Sequence, residues 1–298
     1  MTPEMTPEMT PEMTPEMTPE MSTVLLATCR ALPDGEWGAA VLDGALAERG
    51  IHGRWVIWDD PEVDWSAGLV AVRATWDYEE RLPEFLAWAR SLPQMLNSAE
   101  VFAWNTDKAY LLQLADEGVP TVPTVSVGDA ADLQQVVSTF GDAVLKPRVG
   151  AGGRGVFVVR AGEAVPEPGR GPWVVQPLVE SVRDEGEVSV FVLGGEVVGQ
   201  FRKVPAAGEI RVHAQYGGST GATPLDAEAA AVARRSVSTA ERVLGERLDY
   251  ARVDQMRLAD GTLAVSELEL TEPGLYLDVA PDNGAAFADV LATRLRGR

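Results

Sequence analysis

A single cysteine and two histidines in 298 residues exclude several chemistries at the outset. Cys29 has no partner for an internal disulfide. Neither His52 nor His213 falls in a pattern that would activate it, so Cys29 reads as a packed thiol rather than a nucleophile. Basic residues are also scarce: 25 Lys and Arg stand against 45 Asp and Glu, a net charge of −20. That balance argues against nucleic-acid binding through a basic face. No apolar run approaches the length of a membrane span. The N-terminus lacks the basic start and apolar stretch of a signal peptide, so the expected address is the cytoplasm. The first 21 residues are Met1 followed by five copies of Thr-Pro-Glu-Met. With no apolar periodicity and a proline every fourth residue, residues 1–21 are expected to be a disordered tail, too short for a solenoid, with Met21 as an alternative start.

The chain from Ser22 to about Asn97 alternates strand and helix signals. Strands are expected at Thr23–Ala27, Arg54–Trp58 and Gly68–Arg73, with helices at Trp37–Gly50 and Pro83–Ser91. This β-α-β pattern predicts a small parallel sheet with flanking helices, and ligands approach such sheets at the carboxyl ends of their strands. Arg73 stands there as a candidate for gripping a substrate carboxylate, a surface salt bridge being the alternative. Helices are next expected at Trp104–Gly118 and Asp129–Phe140. Strands then dominate: Ala143–Pro147, Val156–Arg160, Trp173–Pro177, Val188–Leu193 and Val197–Lys203. An Ala-rich helix over Asp226–Leu244 and a last helix over about Ala285–Leu295 flank a final hairpin.

That hairpin carries the most informative residues. Asp260-Gly261 reads as a two-residue turn between Ala251–Leu258 and Leu263–Leu270. Opposed residues of such a hairpin have numbers of constant sum, so Asp254 faces Glu267, with Glu269 on the same side by period two. Directly opposed like charges destabilise a sheet. The trio therefore wants a cation, and hard carboxylate oxygens suit Mg²⁺ held together with substrate phosphates. The alternative is an exposed strand face whose acids are solvated.

Gly150-Ala-Gly-Gly-Arg-Gly155 matches G-x-G-x-x-G, but a strand follows where the dinucleotide fingerprint needs a helix. A glycine loop between two strands can instead fold over nucleotide phosphates, because glycine lets backbone N–H groups approach phosphate oxygens. A protein kinase is disfavoured: Lys146 precedes the loop, and no H-R-D or D-F-G segment is present. An ordinary glycine-rich hairpin would leave the lead-in Lys146-Pro-Arg148 unexplained.

Six motifs in this order resemble the ATP-grasp superfamily: Asn105-Thr-Asp-Lys108; Val144-Leu-Lys-Pro147; the glycine loop; Trp173-Val-Val-Gln-Pro-Leu-Val-Glu180; Gly186-Glu187 with the strand to Gly195; and the acid hairpin. The stretch Arg202-Lys-Val-Pro-Ala-Ala-Gly-Glu-Ile-Arg211 with Gly217-Gly218 is similar to the glutathione-synthetase and RimK-like branch. The resemblance covers about residues 22–298 and implies an α/β (α+β) ATP-grasp fold, with a Rossmann-like pre-ATP-grasp domain over 22–100 on the substrate side. An ATP-grasp domain would occupy 101–298, its glycine-loop lid at about 143–175. It implies that Lys108 and Lys146 contact the ATP phosphates, that Gly152 and Gly153 help cover them, and that groups near Gln176, Leu178 and Val179 bind adenine. Glu187, with Glu180, would hold ribose. Asp254, Glu267 and Glu269 would hold one or two Mg²⁺, or Mn²⁺. The family often shows E-x-N where this chain has Glu267-Leu-Glu269; the added charge strengthens metal binding or requires another cation nearby.

Arg211 and Arg202 are the expected catalytic cations. A phosphoryl group passing to a carboxylate spreads negative charge that a fixed cation stabilises. Lys203 and His213 are expected near the substrate, a solvated hairpin end being the alternative for Arg202 and Lys203 and a satisfied structural histidine that for His213. The front segments Leu25–Pro33, Trp58–Trp65 and Arg73–Tyr78 are similar to D-cycloserine synthetases, which close O-ureido-D-serine into an isoxazolidinone ring. The resemblance thus implies an ATP-dependent ligase acting on a small amino-acid-like molecule through an acyl phosphate, with no covalent enzyme residue. The rivals are an intermolecular amino-acid or peptide ligase and a non-catalytic ATP-binding scaffold. Homo-oligomerisation is left open.

Overall fold

The computed structural model describes residues 22–297; the tail expected over residues 1–21 lies outside them. Among the described residues three sheets organise the fold. The first is parallel, with order β2-β1-β3 from β1 (Ser22–Thr28), β2 (Ile51–Ile57) and β3 (Leu69–Ala74). Val24–Ala27 are fully buried, as the uninterrupted apolar run of a strand covered on both faces requires.

The second sheet, order β4-β7-β5-β6, is antiparallel and small: β4 (Val125–Val127), β5 (Ala143–Pro147), β6 (Phe157–Val159) and β7 (Trp173–Pro177). It packs its own apolar cluster around Leu133, Leu145 and Val175. The glycine loop joins β5 to β6, with Gly152, Gly153 and Gly155 at φ of 59°, 70° and 68°. The third sheet is antiparallel, order β10-β9-β8-β11-β12, from β8 (Glu187–Leu193), β9 (Glu196–Val204), β10 (Ser219–Thr223), β11 (Tyr250–Arg257) and β12 (Leu263–Glu269). Its apolar face packs under the helix Ala227–Leu244, which Asp226 caps and Gly245 ends at φ 74°. The first and third sheets share core: Leu26 and Leu42 cluster with Phe191 and Phe287.

Two local expectations are corrected. The helix expected over Trp104–Gly118 is two helices, Ala99–Asn105 and Tyr110–Asp116. Asp107 breaks it: its carboxylate accepts from the Ala109 N–H at 3.0 Å and pairs with Arg148, while Lys108 N–H donates to the Arg148 carbonyl at 2.8 Å. Lys108 thus sits in a turn tied to the end of β5. The acid hairpin turns through three residues, Ala259 to Gly261, closed by Leu258 N–H to Thr262 O at 2.8 Å, with Gly261 at φ 88°. A bulge at Ser266 then shifts the register by one, so Asp254 still faces Glu267. The two departures from the simple hairpin cancel.

Candidate active site

A cavity of about 670 Å³ opens between the second and third sheets, with Glu36, Trp37, Trp76 and Tyr78 added from segments around the first. Lys146 from β5, Gln176 from β7, Glu187 from β8, Lys203 from β9, Asp254 from β11 and Glu267 from β12 line it. Period two puts Arg252 beside Asp254 on one face of β11, and Lys203 projects to the same place from β9. The result is an alternating chain of charge. Lys203 bridges Glu187 and Asp254, the latter at 2.9 Å; Arg252 bridges Asp254, at 3.0 Å, and Glu269; Lys108 meets Glu267 at 3.1 Å. Ser189 Oγ and Ser266 Oγ donate to Asp254 and Glu187.

Burial pushes every acid here toward its neutral form, and the nearest cations decide which resist. Arg252 and Lys203 overcome burial at Asp254 and hold its carboxyl well below the usual range. Lys108 and Lys146 outweigh burial at Glu267 and lower its carboxyl. Glu269 climbs to about 8, because burial, Asp254 and Glu267 together outweigh Arg252. Burial lifts Glu272 to about 7. Lys146 is lowered by burial, and among the described residues no carboxylate lies within ion-pairing distance of its ammonium. One carboxylate oxygen each from Asp254, Glu267 and Glu269 falls within 4.8 Å of the others, a hard-oxygen set that fits a divalent cation.

Several expected residues sit elsewhere or are already committed. Arg73 is fully buried, donating to Glu36 at 2.7 and 2.9 Å and to the Pro273 carbonyl at 2.6 Å, so its guanidinium is committed behind Glu36 and does not line the cavity. Arg202 is exposed, because alternation on β9 turns it away from the face that carries Lys203. Glu180 is likewise exposed and pairs with Arg183 and Arg160 outside the cavity. Lys203 and Glu187 line the cavity floor, but their charged ends are committed to each other rather than free for substrate or ribose. Leu178 and Val179 line the cavity beside Gln176, whose amide donates to Thr124 Oγ1 at 2.9 Å.

Arg211 lines the cavity, held by Glu209 at 2.6 Å and laid 3.6 Å over the Tyr216 ring. Its hydrogen bond draws the Glu209 carboxyl down to about 2. His213 packs against the glycine loop, where a side chain at Gly153 would meet its ring at 3.2 Å. Its Nδ1 is buried without a partner, and burial, then Lys203, lower the ring to about 4. The loop itself is clasped. Glu79 accepts from Ala151 N–H and from Arg154; Arg154 also donates to the Trp76 carbonyl at 2.7 Å; Lys108 and Gln215 hold the Gly150 and Gly152 carbonyls, each at 2.7 Å.

Three residues here were missed. Arg252 was within reach: it stands two residues before Asp254 on the same strand face, and it supplies the nearby cation that the extra charge of Glu269 requires. Glu79 and Glu272 carry no local signal, since only the tertiary fold brings Glu79 to the glycine loop and Glu272 to the cavity.

Residues 24–97 match the family described as D-cycloserine synthetase DcsG, N-terminal domain, and residues 107–243 match the prokaryotic glutathione synthetase ATP-grasp domain. The cycloserine biosynthesis protein DcsG of Streptomyces lavendulae is 32% identical over 261 residues, covering 80% of this chain and 87% of that protein. This chain belongs to the DcsG family of ATP-grasp proteins. A crystal structure of D-cycloserine synthetase DcsG superposes with a TM-score of 0.83 at 29% identity, over 92% of this DcsG-family chain and all of that one. A glutathione synthetase of Synechocystis is 27% identical over 156 residues, half of this chain and 47% of that one. An ATP-grasp RimK domain protein from Sphaerobacter thermophilus shares the fold, with a TM-score of 0.65 at 16% identity, over 91% and 99% of the two chains. Among the described residues no helix is long and apolar enough to cross a membrane.

Proposed function

We propose that this DcsG-family chain is an ATP-dependent cyclo-ligase that converts O-ureido-D-serine to D-cycloserine, releasing ADP and phosphate. One observation carries the reading. Trp76, from the segment matched to the DcsG N-terminal domain, and Lys108 and Lys146, from the ATP-grasp part, line one cavity with the acid trio. In this reading residues 22–100 form the substrate side, 101–298 the ATP-grasp domain, and the location is cytoplasmic, where ATP is available.

Lys146 and Lys108 hold the phosphates, and the glycine loop adds backbone N–H groups while excluding water. Asp254, Glu267 and Glu269 hold one or two Mg²⁺, which when bound neutralise phosphate charge. The γ-phosphoryl passes to the substrate carboxylate, and Arg211 and Arg252 are the fixed cations facing the charge that spreads. The nitrogen bonded to the substrate's side-chain oxygen then attacks the activated carbonyl, and phosphate leaves with the electron pair. Water removes the remaining carbamoyl group as carbon dioxide and ammonia. No side chain is acylated, in keeping with a cavity that offers no nucleophile–base pair.

The test is ADP and phosphate release with Mg-ATP, comparing O-ureido-D-serine alone, other amino acids alone, and pairs of amino acids. Release with the single ureido substrate, and a cyclic product of lower mass, is the expected result. Release only with a pair would move the reaction to intermolecular amino-acid ligation.

A further inference from the structure

The buried and half-buried acids in the cavity are matched by cations with one exception. Glu36 pairs with Arg73, Glu187 and Asp254 share Lys203, Glu267 pairs with Lys108, and Glu269 with Arg252. Glu272, 8% exposed and lining the same cavity, has no Lys or Arg nitrogen within ion-pairing distance among the described residues. Asp278 at the rim is also unpaired, but it is exposed and solvated. Lys108 and Arg252 act on Glu272 through charge from beyond ion-pairing distance, and aromatic side chains stand beside it. The Trp76 indole donates to the Glu272 backbone carbonyl at 3.1 Å, Trp76 stacks on Trp37 at 5.4 Å, and Tyr78 lines the cavity with them.

A buried carboxylate without a paired cation is costly, and a cation on an entering ligand would relieve that cost. The cluster of oxygens close enough to share a metal does not include Glu272. A carboxylate that shares a cavity wall with aromatic rings suits an organic ammonium, which gains both the ion pair and the ring quadrupole. We propose that Glu272, with the Trp76 wall, receives the ammonium of the substrate, so that the site selects α-amino carboxylates over carboxylates lacking the amine. This rests on the cyclo-ligase reading and deepens it: the ammonium takes no part in ring closure, and its capture orients the neighbouring carboxylate toward Arg211 and the phosphates.

The experiment measures ADP release by the full chain with Mg-ATP and either O-ureido-D-serine or its des-amino analogue, 3-(ureidooxy)propanoate. The wild type is expected to favour the amino substrate by about 100-fold in kcat/KM, the scale of a desolvated charge pair. In Glu272→Gln that preference shrinks to a few-fold through a raised KM for the amino substrate, while KM for ATP and the Mg²⁺ requirement stay near their wild-type values. Equal use of both substrates by the wild type overturns the proposal and leaves the ligase reading intact; this arm stands even where the variant does not fold. A variant that keeps its preference but needs more Mg²⁺ overturns it in favour of metal ligation. A wild type that releases ADP with neither substrate overturns the ligase reading, and the ammonium site with it.

Discussion

Arg252 is the residue on which the acid floor depends. Its guanidinium lies between Asp254 and Glu269 with 6% of its surface exposed, and the two acids hold it charged against burial. Breaking a buried pair from one side costs about 3–5 kcal/mol, because the partner charge stays buried. Arg252→Met is therefore expected to lower stability by about that much in metal-free buffer, and Mg²⁺ to restore part of it by binding the freed carboxylates. Urea unfolding with and without Mg²⁺ checks both; an unchanged midpoint would remove Arg252 from this role. His213 gives the pH dependence. Its ring is lowered to about 4, chiefly by burial, against an ordinary value near 6.5. The fold therefore favours the neutral ring. Its contribution is complete above about pH 6.5 and is lost as pH falls toward 4, up to about 3 kcal/mol. His213→Gln should flatten the decline in stability between pH 7 and 4.5; a decline as steep as in the wild type would contradict it. Arg202, exposed on the far face of β9, should tolerate Ala with stability within about 0.5 kcal/mol and turnover near that of the wild type.

Among the elements, the glycine loop shows how sequence and tertiary structure divide the information. Six closely spaced residues with four glycines announce a loop between strands, and β5 and β6 lie where the flanking apolar runs place them. What closes the loop is 72 residues away, where Glu79 accepts from Ala151 N–H. Glu79→Ala removes an anchor of two charge-assisted contacts, so KM for ATP should rise about 10-fold and protease cleavage within 150–155 should quicken. Glu79→Gln, which keeps an oxygen acceptor, should fall between the two; an unchanged KM for ATP in Glu79→Ala would show that the loop is held by its other contacts. The acid hairpin makes the same division. Alternation placed Asp254 opposite Glu267, but the turn length and the Ser266 bulge were not legible, because each depends on how β12 meets the Pro120–Val122 segment and Glu187. Arg73 failed for a related reason: a strand-end arginine in a parallel sheet reads as ligand-facing, and only the returning Pro273 segment and Glu36 make it a buried brace.

At the scale of the molecule, two sheets and the loops around the first supply one cavity, in which the amide of β7 and the lysine of β5 join the stacked Trp37 and Trp76. The fold class was legible because the motifs run in one order and each matches its local period. The division of labour at the cavity was not, since it depends on which of two strand faces turns inward, as Lys203 and Arg202 show. The central claim is activation of a carboxylate by phosphoryl transfer, and ¹⁸O tracing tests it most directly. O-ureido-D-serine labelled in both carboxylate oxygens is turned over with unlabelled Mg-ATP in ordinary water. One ¹⁸O in each phosphate released, with the other retained in the ring carbonyl, is the predicted result. Phosphate free of label alongside cyclic product would contradict it, because the carboxylate would then have closed the ring without ever carrying the phosphoryl group.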